Sequence, residues 1–240
     1  MKIGLIGYGK MGKAIERIAL ERGHSIVYKI DSKNTIDQVD LTIADVAIEF
    51  TQPGLVVKHM ETCIEKQVPI VVGTTAWQSE LDRISKLVSE KNGSLLHASN
   101  FSVGVNILFH INEKLAALMS SHSEYKAQIE EIHHVQKLDA PSGTAVSLAQ
   151  GLIENNQNYT SWKAKTGSWP AVTAEELPIQ ALREPDVPGT HTISYISKID
   201  TLTLSHEAHS RDGFALGSVI AAEFLFGKKG IYTMRDVLAF

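Results

Sequence analysis

Through the first hundred residues, two patterns of hydrophobic positions alternate: short apolar runs that end on glycine or a small polar residue, and longer stretches with helical spacing. Lys2 to Gly7 is a run of the first kind. Met11, Ala14, Ile15, Ile18 and Ala19 then recur at i, i+3, i+4, i+7 and i+8, which predicts one buried helix face. Gly23 stands where a C′ residue would close that helix. Further strands are expected at Ser25 to Ile30, Val46 to Phe50, Val68 to Val72 and Leu95 to Ala98. Pro53 suits the first turn of a helix. Ser79, with Asp82 three residues on, reads as a capping box for the next one. Strands and helices alternating in this way predict an α/β, doubly wound parallel sheet covered on both faces. Ligands bind such sheets at the carboxyl ends of the strands.

After Asn100 the pattern changes. Ile107 to Ser120 reads as a helix, Tyr125 to Val135 as a strand, and the stretch from about Gly143 to Asn155 as another helix. Asn155 to Glu184 is polar, with two tryptophans and few periodic features, and is expected to be a long excursion. Thr190 to Ile199 and Thr201 to His209 alternate like antiparallel strands around a turn at Lys198-Ile199-Asp200, and Ala215 to Phe226 is a last apolar helix. The division expected is residues 1–100 with 212–240 as one domain, and residues 101–211 as a second α+β domain with a mixed sheet.

Chemistry enters at two places. Gly7-Tyr8-Gly9-Lys10-Met11-Gly12 is a G-x-G-x-x-G between a strand and a helix. Its glycines allow a tight turn and close approach of a pyrophosphate to the helix N-terminus. Asp31 ends the second strand, where an acid can accept hydrogen bonds from adenosine ribose hydroxyls. A dinucleotide, NADH or NADPH, is the cofactor expected. Asp31 leans towards the first, while Lys29 and Lys33 beside it could tolerate a 2′-phosphate. Gly73, Thr74 and Thr75, and Ala98, Ser99, Asn100 and Phe101, end the fourth and fifth strands with small residues that would admit the nicotinamide half.

The second place is Gln128 to Thr144, QIEEIHHVQKLDAPSGT. Period-2 alternation puts Glu131 and His133 on one strand face and His134 on the other, so both histidines reach one site only if the strand ends or twists there. Lys137 adds a fixed charge. Ser142 can cap the following helix, whose Gly143 and Thr144 N–H groups would face an anion. Ser142 lacks the strand-elbow-helix context of a nucleophile. His206-Glu207-Ala208-His209 is no zinc motif, because that motif needs histidines at i and i+4 on a helix. No metal is expected.

Composition narrows the classes. The chain has 240 residues, 43% hydrophobic and 21% charged, with a formal net charge of −4. That argues against a nucleic-acid footprint. No apolar run approaches the ~18 residues of a membrane span. Cys63 stands alone in a helical pattern, is expected to be half-buried, and fits a cytoplasmic protein.

Taken together, Gly73-Thr74-Thr75, Asn100 to Asn106 (NFSVGVN), Glu131 to Ala145 (EIHHVQKLDAPSGTA), Pro188-Gly189-Thr190-His191 and Ser210-Arg211 resemble the dihydrodipicolinate reductase family over nearly the whole chain. The resemblance implies a Rossmann-type domain, and a second domain that binds a small dicarboxylate and builds a homotetramer. It implies NAD(P)H-dependent reduction of dehydrated 4-hydroxy-tetrahydrodipicolinate in diaminopimelate/lysine biosynthesis. It also implies His133 as catalytic acid and Lys137 as catalytic or carboxylate-binding cation. His134, Gly143 and Thr144 would contact substrate. The chain departs from many members in a first loop one residue shorter, with Lys10 in place of an arginine, and in a short segment between Asp31 and Val46. The rival readings are a sugar or semialdehyde oxidoreductase, the latter needing a site cysteine that Cys63 does not provide, and a non-catalytic nucleotide sensor.

Overall fold

A computed structural model describes residues 1–240 as two units, Met1–Val103 with Arg211–Phe240, and Gly104–Ser210. In the first unit β1 (Lys2–Ile6) runs into α1 (Lys10–Glu21) and β2 (Ser25–Ile30). There follow β3 (Val46–Glu49), α2 (Pro53–Glu65), β4 (Ile70–Val72), α3 (Leu81–Glu90) and β5 (Ser94–His97). Helix α1 buries Gly12, Ile15, Ile18 and Ala19, the face its spacing predicts. Gly23 closes it with φ +81°. Pro53 occupies the first turn of α2, where its missing N–H costs nothing.

The capping box expected at Ser79 does not form. A single 3-10 turn, Gln78–Glu80, leads into α3. Ser79 is therefore already helical, and the N-cap position falls to Glu80, which makes no side-chain cap bond. Cys63 is also more enclosed than expected. It is fully buried between α2 and the sheet, and burial pushes its thiol up to about 12, so it is an inert packing residue.

In the second unit α4 (Val103–Met119) precedes β6 (Lys126–His133) and α5 (Gly143–Asn155). Next come β7 (Ser161–Thr166), β8 (Glu176–Arg183), β9 (Gly189–Ile196) and β10 (Thr201–Ala208). The mixed sheet has the order β10-β9-β6-β8-β7, antiparallel from β10 to β6 and parallel from β6 to β7. Two of these strands lie in the segment expected to be an irregular excursion. In β8 the inward positions Leu177, Ile179 and Ala181 do alternate, but Pro178 interrupts the run, and proline argues against an interior strand. β7 has only Trp162 and Ala164 to mark its inner face, because it is the sheet edge. Helices α4 and α5 cover one face, where Leu108, Leu148 and Leu152 pack on Ile129, Ile179 and Ile193. On β6 that covered face continues through Glu131 to His133.

The chain then returns to the first unit as α6 (Asp212–Leu225), β11 (Gly230–Tyr232) and α7 (Met234–Leu238). β11 adds a sixth strand, unexpected from its three-residue length, to give the parallel order β11-β5-β4-β3-β1-β2. Helices α2 and α3 pack on one face of this sheet, α1 and α6 on the other. Strand order reverses direction beside β1, so the ligand-binding crevice of such a sheet lies at the carboxyl ends of β1 and β3.

Leu148 is fully buried in the second unit's core. Leu148→Ala should cost about 2–5 kcal/mol, read as a lowered urea midpoint. A change under about 1 kcal/mol would mean that α5 does not hold that core.

Candidate functional site

Gly7 follows β1 with φ +99°, and a Cβ there would lie 2.0 Å from the Phe50 carbonyl oxygen at the end of β3. A Cβ on Gly12 would lie 2.2 Å from the Gly7 oxygen, so the turn closes only with glycine at both positions. Gly9 is the N-cap of α1, carries no side-chain cap bond, and faces open space. The first N–H groups of α1 thus lack a side-chain acceptor, in the geometry that suits a pyrophosphate. These residues fit a dinucleotide. Lys10 is exposed, Met11 half-buried and Gly12 buried.

Asp31 stands exposed just past β2, its Oδ1 accepting the Lys33 N–H at 2.7 Å. Lys29 is committed elsewhere: its Nζ lies 2.5 Å from Glu16 and donates to the Tyr8 hydroxyl at 3.3 Å. The Tyr8 hydroxyl itself donates to Glu16. After β4, a Cβ on Gly73 would fall 2.2 Å from the Phe50 ring, and the buried Thr74 accepts the Thr51 N–H at 2.8 Å. Thr75 is exposed. After β5, Ala98 is half-buried and Ser99 exposed. Asn100 accepts the Ser102 N–H at 2.8 Å. The Phe101 ring is buried in the core, 5.7 Å from that of Phe50.

In the second unit β6 ends at His133, which is how two adjacent histidines escape strict alternation: His133 is buried on the helix-covered face and His134 is half-buried beyond the strand. The following turn is closed by the Lys137 N–H donating to the His134 oxygen at 3.0 Å. Lys137 Nζ donates to both oxygens of Asp139 at 2.8 Å. Burial is the largest single influence on Asp139 and opposes its ionisation, but the hydrogen bond and charge of Lys137, with a main-chain hydrogen bond, together outweigh it and hold the carboxyl below its usual range. Ser142 caps α5, its Oγ accepting the Ala145 N–H at 3.2 Å. Gly143 is exposed, with nothing near a Cβ added there, and Thr144 is half-buried.

Three contributors have no role in the motif reading, and one of them, Arg183, lies outside every motif. Glu131 is fully buried and accepts the Ser142 N–H on both carboxylate oxygens at 3.0 and 3.1 Å. Arg183 Nη1 lies 3.5 Å from the same carboxylate, and this guanidinium also donates to the main-chain oxygens of Lys137 (3.3 Å), Leu182 (2.7 Å) and Asp139 (2.6 Å). His191 Nε2 is 3.1 Å from Ser142 Oγ. The alternation that paired Glu131 with His133 was the available signal for Glu131. Arg183 lay hidden at the end of the unrecognised β8.

Glu131, His133 and His191 bring three donor atoms within 4.8 Å of one another, a grouping with the residue types of a metal site. The Ser142 N–H and the Arg183 guanidinium already engage the carboxylate, and a positive charge beside it opposes a cation. The cluster reads instead as a hydrogen-bonding and charge network.

His133 is pushed down to about 4, by burial first and then by Lys137 and Arg183. His191 is pushed down to about 3, again by burial first. An ordinary imidazole titrates at ~6.5, so both rings stand well below that value and are neutral near pH 7.

The fold and these two sites define an oxidoreductase of the pyridine-nucleotide dehydrogenase type, built as a nucleotide-binding unit and a second, mixed-sheet unit. Residues 1–101 match the family model described as "Dihydrodipicolinate reductase, N-terminus", and residues 104–238 match "Dihydrodipicolinate reductase, C-terminus". The chain belongs to the dihydrodipicolinate reductase family. It is 45% identical to the 4-hydroxy-tetrahydrodipicolinate reductase of Christiangramia forsetii, covering 100% of this chain and 98% of that one. It is 34% identical to that of Neisseria meningitidis, over 93% of this chain and 83% of the other. Among solved structures, dipicolinate-bound dihydrodipicolinate reductase from Paenisporosarcina sp. TG-14 shares the fold, with TM-score 0.76 at 21% identity and 97% of each chain covered. A probable dehydrogenase from Thermotoga maritima shares it more loosely, with TM-score 0.58 at 10% identity over 99% of this chain and 92% of that one.

Two expectations follow from the geometry. A Cβ added at Gly189 would sit 3.0 Å from His133 Nε2, so Gly189→Ala should tilt the ring and lower activity by about 100-fold while leaving the circular dichroism spectrum unchanged. Full activity would mean that His133 Nε2 takes no part. The second concerns acid. His133 and His191 are depressed from ~6.5 in the unfolded chain, so their stability contribution is complete above about pH 6.5 and is lost as pH falls towards 4 and 3. The unfolding free energy from urea titration should therefore drop between pH 7.5 and 5, by about 2 kcal/mol per imidazole at most. A flat profile would contradict buried neutral rings.

Proposed function

We propose that this chain reduces the dehydrated form of 4-hydroxy-tetrahydrodipicolinate to tetrahydrodipicolinate with NADH or NADPH, in diaminopimelate/lysine biosynthesis. The observation that carries the reading is the connection from β6 to α5, which holds His133 at its start, Lys137 in its first turn and the N-terminus of α5 at its end. A dicarboxylate that must accept a proton needs that combination. The bound reduced nicotinamide supplies the hydride. Gly143 and Thr144 hold one substrate carboxylate through main-chain N–H groups and the Thr144 hydroxyl, adding the field of the helix N-terminus. Lys137 exchanges Asp139 for the other carboxylate and stabilises charge developing on the ring. His134 contacts substrate from beyond the strand end. His133 gives its proton to the ring carbon beside the reduced position.

His133 is neutral in the free protein, so it has to gain its proton as substrate arrives. Two incoming carboxylates oppose the Lys137 and Arg183 charges that hold its pKa down, and this makes the protonated acid reachable in the complex. On the cofactor side, Asp31 accepts from ribose hydroxyls and repels a 2′-phosphate. The charge of Lys29 is taken up by Glu16, leaving Lys33 as the exposed cation. This favours NADH, with NADPH still used.

The face of the second sheet opposite Ile193 and Tyr195 carries Thr192 and Ser194 on β9 beside Ser205 and Thr203 on β10, with their hydroxyls paired across the strands, and the homotetramer reading sets partner copies against this open face. No helix is long and apolar enough to cross a membrane. Buried, unpaired Cys63 is in keeping with a cytoplasmic setting.

The test is a coupled assay in which the preceding synthase makes the substrate from pyruvate and aspartate semialdehyde, and nicotinamide absorbance is followed. Synthase-dependent oxidation, faster with NADH, is expected. His133→Ala should mainly lower kcat, and Thr144→Ala mainly raise KM. Folded, nucleotide-binding protein that oxidises neither cofactor would overturn the reading in favour of a nucleotide sensor or another substrate.

A further inference from the structure

His133 carries a buried Nδ1 with no hydrogen-bond partner, and Glu131 Oε2 lies 3.4 Å from that atom. Glu131 itself has no exposure to water. Its two oxygens accept the Ser142 N–H, and Ser142 opens α5 and bonds His191 through its hydroxyl. One carboxylate therefore touches the candidate acid and the anchor of the candidate anion turn together.

We infer that Glu131 is the positioning residue of this site: it fixes His133 with the proton on Nδ1, so that Nε2 gives the proton to substrate, and the same carboxylate docks the turn that opens α5. The inference rests on the reading of His133 as the acid. The electrostatic reason is direct. An N–H pointed at a buried carboxylate is attracted to it, while a ring lone pair in that place is repelled, in a medium that screens weakly. Nδ1 then keeps its proton through the cycle, and Nε2, the atom Gly189 leaves uncovered, is the one that gains and loses one. The groups facing His133 are Glu131 on its own strand, His134, Lys137 and Asp139 in the following turn, Arg183 from β8 and His191 from β9. Lys137 and Arg183 disfavour the imidazolium. Of the two carboxylates, Asp139 is paired with Lys137 and largely exposed, so Glu131 is the buried counter-charge that makes the protonated ring attainable.

Glu131→Gln keeps a carbonyl for the Ser142 N–H and removes the charge. In the coupled assay kcat should fall about 100-fold, in the range of general acid–base contributions. The alkaline limb of the kcat–pH profile should move to lower pH, because the protonated acid loses its counter-charge. Nucleotide binding, read by fluorescence titration, should not change. Glu131→Asp, which keeps the charge at shorter reach, should restore part of the limb. An unchanged kcat, or a lowered kcat with the limb unmoved, would make Glu131 structural only and overturn the inference. Should the Gln variant not fold, ¹⁵N NMR of the neutral wild-type imidazoles decides, with His133 assigned by its loss in His133→Asn. A proton on Nδ1 supports the inference and one on Nε2 overturns it. If His133→Asn itself keeps wild-type kcat and pH profile, the reading of His133 as the acid fails, whatever Glu131 does.

Discussion

A carboxylate with no access to water must be satisfied by its surroundings, and at the end of β6 that requirement organises everything nearby. Desolvating an ion costs several kcal/mol, and only well-placed donors offset it. Glu131 finds them in a main-chain N–H at the start of α5 and a guanidinium from β8, with the His191 ring within 3.7 Å. Each donor comes from a different element, so satisfying one charge brings three segments to the same strand end. Arg183 extends the effect, because its donations to the main chain at Lys137 and Asp139 hold the turn that carries the lysine. The position of the Lys137 turn and of the α5 N-terminus is thus a consequence of where Glu131 is buried.

The first unit obeys a steric rather than an electrostatic constraint. Gly7, Gly12 and Gly73 all approach other groups too closely for a side chain, and two of the three meet Phe50 at the end of β3. Phe50 in turn packs its ring against Phe101 after β5. The strand-end loops that a dinucleotide would face are therefore spaced by one aromatic residue, and the glycines are the sequence trace of that crowding.

Much of this was legible in the chain. In the first hundred residues the five strands show through as short apolar runs and the three helices by one buried periodic face, and Ser142 was readable as a cap from its place before Gly143-Thr144-Ala145. What stayed hidden had local signals at odds with its tertiary setting. Pro178 lies in β8, which runs between β6 and β7, and masks three alternating apolar residues. Ser79 has the residue type of a cap but sits within a 3-10 turn. β11 is three residues long and exists because β5 offers it an edge. At the site, His133 and Lys137 stand out as polar residues close in sequence, while Arg183 and His191 reach it from 50 and 58 residues beyond His133, a distance no motif spans.

The low pKa of His133 bears on how such a site would avoid acting out of turn. A protonated His133 would be a buried charge beside the like charges of Lys137 and Arg183, and burial and repulsion together penalise it even with Glu131 nearby. Held neutral, the ring adds no charge beside Lys137, which is paired with Asp139. A ligand that brings two carboxylates changes both terms together: it draws Lys137 away from Asp139, and it adds negative charge near the imidazole. A neutral ligand, or one with a single carboxylate, changes them less. In the proposed reaction the acid is therefore charged by the same groups that identify the substrate, and selectivity for a dicarboxylate appears in the proton transfer as well as in binding.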